Sequence, residues 1–107
     1  MYRLSVNNED AKKSIDKSQF ATICQLYTNR SLCYFNIGKH EKAVEDATVV
    51  IEEIDPNNAK AHFRKGMSLK KLGQHSKAIA ELKLAVKYEP GNELFVKELA
   101  ALENKKR

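Results

Sequence analysis

The feature that most constrains this chain is an internal repeat of 34 to 35 residues. Four residues recur 35 positions later, namely Gly38, His40, Lys42 and Ala43 as Gly73, His75, Lys77 and Ala78. Pro56 recurs as Pro90 after 34 positions, so that a proline closes each unit. Self-similarity at such a period is the signature of a stacked array of supersecondary units. The one-residue difference between the two shifts is expected to be taken up in the turn Ile54-Asp55-Pro56.

Each unit has the pattern of two helices and a tight turn. Apolar residues recur three and four positions apart, which is the spacing of one helical face. The predicted helices cover residues 17–37, 41–54, 59–72, 75–88 and 93–105. Gly38 and Gly73 are expected to end two helices in the left-handed conformation, and Pro56 and Pro90 cannot continue two others. Because the chain has only four glycines and two prolines, a turn-rich sheet fold is not expected, and the predicted fold class is all-α.

Length and composition are those of one ordinary globular domain. The chain has 107 residues, of which 42% are hydrophobic and 31% are charged. No apolar run approaches the roughly 20 residues that cross a bilayer, and no secretory leader is recognised. Cys24 and Cys33 would lie roughly 13 Å apart along one helix, which is beyond the reach of a disulfide. Unpaired thiols favour a reducing compartment, so a cytoplasmic location is expected, with the nucleus as the alternative.

Enzymatic and nucleic-acid functions find little support in the sequence. It has no glycine-rich phosphate loop, nucleophile motif or cluster of metal ligands, so no catalytic residue, cofactor or metal is assigned. The adjacent acids Glu45-Asp46 and Glu52-Glu53 point in diverging directions on a helix and are interpreted as solvated. His62 is interpreted as a packing residue rather than a catalyst. The net charge of +5 comes without a basic stripe interleaved with aromatic residues, so neither nucleic acid nor a membrane is an expected partner.

The residues at fixed positions of the repeat resemble those of the tetratricopeptide-repeat family. The resemblance covers Ala59–Asn92 in full, and Cys24–Asn58 is similar but one residue longer. The residues that carry it are Gly66, Ala78, Ala85 and Pro90 in the second unit, and Ser31, Ala43 and Ala47 in the first. The small residues Ser31, Ala43, Gly66 and Ala78 are expected where two helices approach closely. The resemblance implies a right-handed α-solenoid of helical hairpins, in which neighbouring units bury each other's apolar faces and a C-terminal helix caps the array.

This resemblance divides the chain into four segments: an N-terminal arm or remnant of a preceding repeat, a first unit, a second unit, and a capping helix with a basic tail. They are residues 1–16, 17–58, 59–92 and 93–107. A complete preceding repeat would need more residues than are present, so a piece of a larger protein is expected, and a natural N-terminal arm stays open as the alternative. An array without its first helix leaves Phe20, Ile23 and Tyr27 unshielded, and we expect this surface to recruit a second copy into a homodimer.

Stacked units place the first helix of each pair on a concave surface. The residues expected to line this groove are Thr28, Leu32, Phe63, Met67 and Lys71, beside Asn29, Lys60 and Arg64. Lys60 and Arg64 are four positions apart and therefore project from one helical face. Charged Lys and Arg donors beside an apolar floor suit a peptide that is rich in carboxylates.

The segments Leu26–Ser31 and Ala59–Arg64 resemble the matching segments of chaperone-binding tetratricopeptide domains. In that class a clamp binds two carboxylates of the C-terminal Glu-Glu-Val-Asp tail of Hsp90 or Hsp70. The resemblance implies that Asn29, Lys60 and Arg64 are clamp residues and that the chain is a non-catalytic co-chaperone adaptor. The remaining Lys and Asn of the clamp belong to a preceding repeat and have no counterpart here. The choice between Hsp90 and Hsp70 stays open.

Two other functions stay open at this point. The module could hold a folded partner through its convex face or its cap helix, in which case neutralising Lys60 and Arg64 would change nothing. It could also be the regulatory part of a larger enzyme, such as a prolyl isomerase or a phosphatase, and this is compatible with the adaptor function.

Overall fold

Five α-helices and one π-helical turn make up the part of the chain that the structure describes. The computed structural model describes residues 17–106, with side chains from residue 19 to residue 104, so the predicted segment 1–16 lies outside it. The elements are α1 (Lys17–Asn36), α2 (His40–Val49), a π-helical turn (Val50–Ile54), α3 (Ala59–Lys71), α4 (His75–Tyr88) and α5 (Glu93–Lys106). Residues 17–106 contain no strand, and the all-α prediction is confirmed.

Glycine and asparagine set the ends of the helices. Gly38, with φ of 85°, and Gly73, with φ of 81°, adopt the left-handed conformation just after α1 and α3. Asn58 precedes α3, and its side-chain oxygen accepts a backbone N–H of the first turn at 2.9 Å. Asn92 does the same before α5 at 3.2 Å. These local signals explain why the predicted helices lie close to the observed ones.

The additional residue of the first unit lies inside a helix, and its predicted location in the turn Ile54-Asp55-Pro56 is wrong. α2 has ten residues and the π-helical turn has five, against fourteen in α4. The backbone N–H of Asp55 donates to the carbonyl of Val50 at 2.7 Å, across five positions rather than four. A π-helical turn holds the extra residue within the helix. The proline that follows therefore keeps the same place after its helix in both units.

Successive helices pack side by side along an elongated body of 47 × 28 × 19 Å. α1 contacts α2 and α3, α3 also contacts α2 and α4, and α4 contacts α5. One apolar cluster joins the second unit to α5, and its buried members are Ala59, Phe63, Leu69, Ala78, Ile79, Leu82, Ala85, Phe95 and Leu102. A smaller cluster of Cys24, Val50 and Ala61 joins the two units. The cap helix thus completes the core of the second unit, as the resemblance implied.

Small residues stand where the two helices of a unit approach closely. A Cβ atom at Gly66 on α3 would lie 3.0 Å from the side chain of Leu82 and 3.2 Å from the carbonyl of Ala78 on α4. In the first unit the buried Ser31 hydroxyl donates to the carbonyl of Ala43 at 2.7 Å. The expectation of close helix contacts at these positions is confirmed.

Asp46 does not fit the prediction of a solvated acid. It is 4% exposed, and its carboxylate accepts two hydrogen bonds from the Arg30 guanidinium, at 2.7 Å from Nε and 2.6 Å from Nη2. Its neighbour Glu45 is exposed. The acid was misassigned because its partner belongs to the other helix of the hairpin, which a pattern along one helix does not reveal.

Both cysteines are free: Cys24 is buried and Cys33 is exposed. Burial raises the pKa of the Cys24 thiol, which keeps it protonated and inert. No helix within residues 17–106 has the length and apolar character needed to cross a membrane.

Candidate functional site

α3 carries the two cations of the candidate site in its first two turns. Lys60 is the second residue of the helix, immediately after the start that Asn58 caps. Its side chain is exposed and forms no ion pair with any residue of the described part of the chain. Because nothing in this region neutralises it, the ammonium keeps three donors for a ligand.

Arg64 lies one turn further along α3 and is partly buried. Its Nε atom is enclosed and has no hydrogen-bond partner among the described residues. Burial lowers the pKa of the guanidinium, which remains charged because the ordinary pKa of arginine lies far above neutrality. The guanidinium carbon is 5.8 Å from the centroid of the Phe63 ring. A buried N–H without an acceptor costs about 1–3 kcal/mol, and a carboxylate toward which the guanidinium turns would supply that acceptor.

A recess of about 520 Å³ opens between α1 and the start of α3. Gln25 and Thr28 line it from α1, Lys60 lines it from α3, and Asp55 and Asn58 line it from the turn between the units. Thr28 is 1% exposed, and its hydroxyl donates to the carbonyl of Gln25 at 3.2 Å. The structure therefore brings Thr28 and Lys60 to one recess, but Thr28 offers almost no surface there.

Asn29 follows Thr28 on α1 and is exposed, so its amide is accessible to a ligand. Leu32 on α1 and Met67 on α3 are partly buried, and Lys71 at the end of α3 is exposed. α1 and α3 are in direct contact, which places these side chains on two adjacent helices.

Phe63 is a core residue rather than part of the groove floor. It is 4% exposed, and its ring stacks on Phe95 of α5 with 4.4 Å between the ring centroids. The expectation that Phe63 lines the groove does not match this burial. The position of Phe63 within the repeat predicted that it faces the groove, but the ring is covered by the cap helix α5.

His62 lies between Lys60 and Arg64 in sequence but is buried, as the packing interpretation expected. Its ring joins α3 to α4 and to the turn between the units: Nδ1 lies 2.7 Å from a carboxylate oxygen of Glu81 on α4, and Nε2 lies 2.8 Å from the carbonyl of Pro56. The sequence did not reveal these hydrogen bonds, because Glu81 is nineteen positions away.

The donors at this site suit a ligand that carries carboxylates. Among the described residues, no three His, Cys, Asp or Glu side chains converge as a metal site would require. Lys60, Arg64 and Asn29 supply ammonium, guanidinium and amide donors, and such groups form strong hydrogen bonds with carboxylates.

Comparison with known families agrees with the helical hairpins described above. Residues 25–58 and residues 59–92 each match the tetratricopeptide repeat, so the two matches adjoin and cover more than half of the chain. The chain belongs to the tetratricopeptide-repeat family. The first match begins one residue after Cys24, where the resemblance of the first unit starts, and the second match coincides with Ala59–Asn92.

Curated relatives share one region with this chain. Zinc finger CCCH domain-containing protein 7B of Homo sapiens is 41% identical over 52% of this chain and 6% of its own length. Small glutamine-rich tetratricopeptide repeat-containing protein 2 of Mycosarcoma maydis is 35% identical over 70% of this chain and 21% of its own length. Protein unc-45 homolog B of Xenopus tropicalis is 35% identical over 72% of this chain and 8% of its own length. The chain therefore spans a small part of these relatives.

A solved structure with the same fold is the first tetratricopeptide domain of Spaghetti (RPAP3), bound to the Hsp90 peptide SRMEEVD. It superposes with a TM-score of 0.72 at 24% identity, over 77% of this chain and 64% of that one. This likeness confirms the solenoid fold.

Proposed function

We propose that this tetratricopeptide module binds the acidic C-terminal tail of Hsp90 or Hsp70, with Asn29, Lys60 and Arg64 as its carboxylate donors. The observation that carries the proposal is the state of the two cations on α3. Lys60 has no ion-pair partner among the described residues, and the enclosed Arg64 Nε has no acceptor there. Arg30, by contrast, is a structural cation that forms an ion pair with Asp46. Lys60 and Arg64 lie one helical turn apart without such a partner among the described residues, so both can bind a ligand.

One comparison supports the choice of ligand. The structure of Spaghetti (RPAP3) with the same fold holds an Hsp90 peptide that ends Met-Glu-Glu-Val-Asp. Such a tail presents several carboxylates close together, and each accepts more than one hydrogen bond. The module would act by binding alone, in the cytoplasm or nucleus, with no catalytic step of its own.

Calorimetric titration with a Met-Glu-Glu-Val-Asp peptide, beside the same peptide amidated at its C-terminus, tests the proposal. We expect binding that is lost on amidation and that weakens as salt screens the exposed charges. Lys60→Ala and Arg64→Ala should each weaken binding by about 1.5–3 kcal/mol, the value of a hydrogen bond to a charged group. Lys77→Ala is the matched control, because Lys77 is an exposed lysine on α4 rather than on α3.

Unchanged affinity in both α3 variants would contradict the clamp assignment. The clamp lysine and asparagine of a preceding repeat are not matched in this chain, so the titration is repeated with a helix that carries these two residues fused before α1. Binding gained by that fusion supports a clamp shared between two repeats. Absence of binding with and without the fused helix overturns the proposal.

A folded partner is the second candidate, and the cap helix favours it. Leu94 and Val96 on α5 are 51% and 45% exposed, so this helix presents apolar side chains that a folded partner could cover. Charge substitutions at these two positions would abolish capture of such a partner, whereas Lys60→Ala would leave it intact. The opposite pattern would reject this candidate.

A further inference from the structure

The buried ring of His62 lies between two hydrogen-bond acceptors. His62 is 4% exposed. Its Nδ1 is 2.7 Å from Oε1 of Glu81, and its Nε2 is 2.8 Å from the backbone carbonyl of Pro56. A carbonyl oxygen can only accept, and so can an ionised carboxylate. Both ring nitrogens must therefore carry a proton for both contacts to be hydrogen bonds.

A neutral His62 would have to place a ring lone pair against one of the two oxygens. The alternative is a protonated Glu81 that donates to Nδ1. Lys65 opposes that arrangement, because its ammonium lies 3.8 Å from the other oxygen of the same carboxylate and favours the ionised form. The geometry thus selects an imidazolium beside a carboxylate.

We propose that His62 is a charged staple of the second repeat, which ties α3 to α4 and to the turn between the repeats only while its ring carries both protons. The three tied elements are α3 through His62 itself, α4 through Glu81, and the turn through Pro56. The staple makes the stability of this repeat sensitive to pH near neutrality.

The pKa of His62 depends on the groups that face its ring from α3, from α4 and from the turn between the repeats. Burial by itself lowers the pKa of His62, but the hydrogen bonds to Glu81 and to the Pro56 carbonyl, with the carboxylate charge, raise it above the ordinary value. Lys65 on α3 acts in the opposite sense. Tyr88 on α4 places its ring centroid 5.7 Å from that of His62 and adds no charge while its phenol is protonated.

A histidine whose pKa is raised by folding stabilises the folded state most at low pH. The stabilisation is present in full below the ordinary pKa of about 6.5, and it is lost as the pH rises through the folded-state value. Each pKa unit by which folding raises the pKa of His62 corresponds to a tenfold change in the folding equilibrium constant. Repeat stability should therefore decline between mildly acidic and mildly alkaline solution.

The staple also bears on the proposed ligand site, and that part of the inference rests on the proposed function. His62 is two positions from both Lys60 and Arg64, on the buried side of the same helix. When the staple opens, the first two turns of α3 lose their anchor to Pro56 and Glu81. The affinity for an acidic tail peptide should then fall over the same range of pH.

The test begins with the free protein, where no peptide is needed. ¹⁵N resonances of the imidazole are followed with pH, and we expect both nitrogens of His62 to stay protonated above the ordinary histidine pKa of about 6.5. The exposed His75 supplies a control variant. Urea unfolding is then measured across the same range for the wild type, Glu81→Gln, Lys65→Met and His75→Gln. The amide introduced by Glu81→Gln can still accept a hydrogen bond but carries no charge.

We expect the decline in urea midpoint to shift to lower pH in Glu81→Gln, to higher pH in Lys65→Met, and to be unchanged in His75→Gln. A His62 ring that loses a proton at or below about pH 6.5, or the same pH profile in Glu81→Gln as in the wild type, overturns the staple. The peptide titration separates the two proposals. If His62 titrates as expected but no peptide binds, the clamp is rejected and the staple is supported. If the peptide binds but His62 is neutral, the staple is rejected and the clamp is supported.

Discussion

At the scale of single residues, Arg30 and Asp46 join the two helices of the first repeat. The guanidinium forms two hydrogen bonds with the carboxylate and lies 5.7 Å and 5.6 Å from the ring centroids of Tyr27 and Tyr34. The hydrogen bond to Asp46 raises the pKa of Arg30 further above its ordinary range. The planar fork of arginine fits a carboxylate in this two-pronged way, and lysine does not.

Breaking this pair should destabilise the first repeat. We expect Asp46→Asn to lower the free energy of unfolding by about 1–3 kcal/mol, because one charged hydrogen bond is lost and the other is weakened. Arg30→Met should cost more, since it leaves the buried carboxylate without its cation. Chemical denaturation measures both, and the double variant should be less destabilised than the sum of the two single variants.

The control for this measurement is the exposed pair of Lys83 and Glu103, whose charged atoms are 3.9 Å apart. Glu103→Gln should change stability by less than about 1 kcal/mol, because water screens such a pair. Equal effects of Asp46→Asn and Glu103→Gln would show that the buried pair contributes no more to the free energy of unfolding than the exposed pair does.

The role of a residue could be predicted where it depends on one helix, and could not where it depends on a side chain from another helix. The sequence predicted the exposure of Lys60 and the close contact at Gly66, because both depend on position within one helix of the repeat. It did not reveal Asp46 as buried or Phe63 as covered, because each depends on a side chain from another helix. The clamp assignment itself stays a prediction, which the peptide titration tests.

At the scale of helices, α5 shields the second repeat as a cap. Phe95 stacks on Phe63 with 4.4 Å between the ring centroids, and each residue is 4% exposed. Leu102 on the same helix is fully buried. Without this helix the apolar face of the second repeat would be open to water.

Phe95→Ala should lower the free energy of unfolding by about 3–5 kcal/mol, the usual result of truncating a buried aromatic residue. The neighbouring Val96→Ala is the control and should change stability by no more than about 0.5 kcal/mol, because Val96 is largely exposed. Thermal or denaturant unfolding compares the two. Similar stabilities of the two variants would mean that α5 is not a structural part of the core.

Helix bounds were predictable because local chemistry determines them. The predicted helix 17–37 corresponds to Lys17–Asn36, and the predicted helix 93–105 corresponds to Glu93–Lys106. A glycine or an asparagine marks such boundaries in the sequence itself. The π-helical turn appears in the sequence only as the one-residue difference between the two repeat shifts, and this difference does not reveal where the additional residue lies.

At the scale of the whole molecule, the end of the array formed by α1 leaves apolar side chains in contact with water. Leu26 is 64% exposed, and Phe20, Ile23 and Tyr27 are only partly buried. In a solenoid each unit buries one face against its neighbour, and within residues 17–106 no helix covers this face of α1, so it is available to another chain. We propose that two copies associate through this face.

Sedimentation velocity across a concentration series tests this association. We expect the weight-average mass to rise above that of one chain at high micromolar concentration, and Leu26→Lys to abolish the rise because it places a charge in the apolar contact. Val96→Lys on α5, at the opposite end of the array, should leave the mass profile unchanged. A single-chain mass for the wild type at every concentration would reject the dimer.

The π-helical turn at Val50–Ile54 also bears on how such arrays can vary in length. A one-residue insertion in an ordinary helix would rotate everything after it by about 100° and turn buried side chains outward. Here the insertion is confined to a single bulge, and Pro56 and Asn58 resume the common register. The unit after Pro56 therefore begins in the register that a 34-residue repeat would set, despite the additional residue in the first repeat.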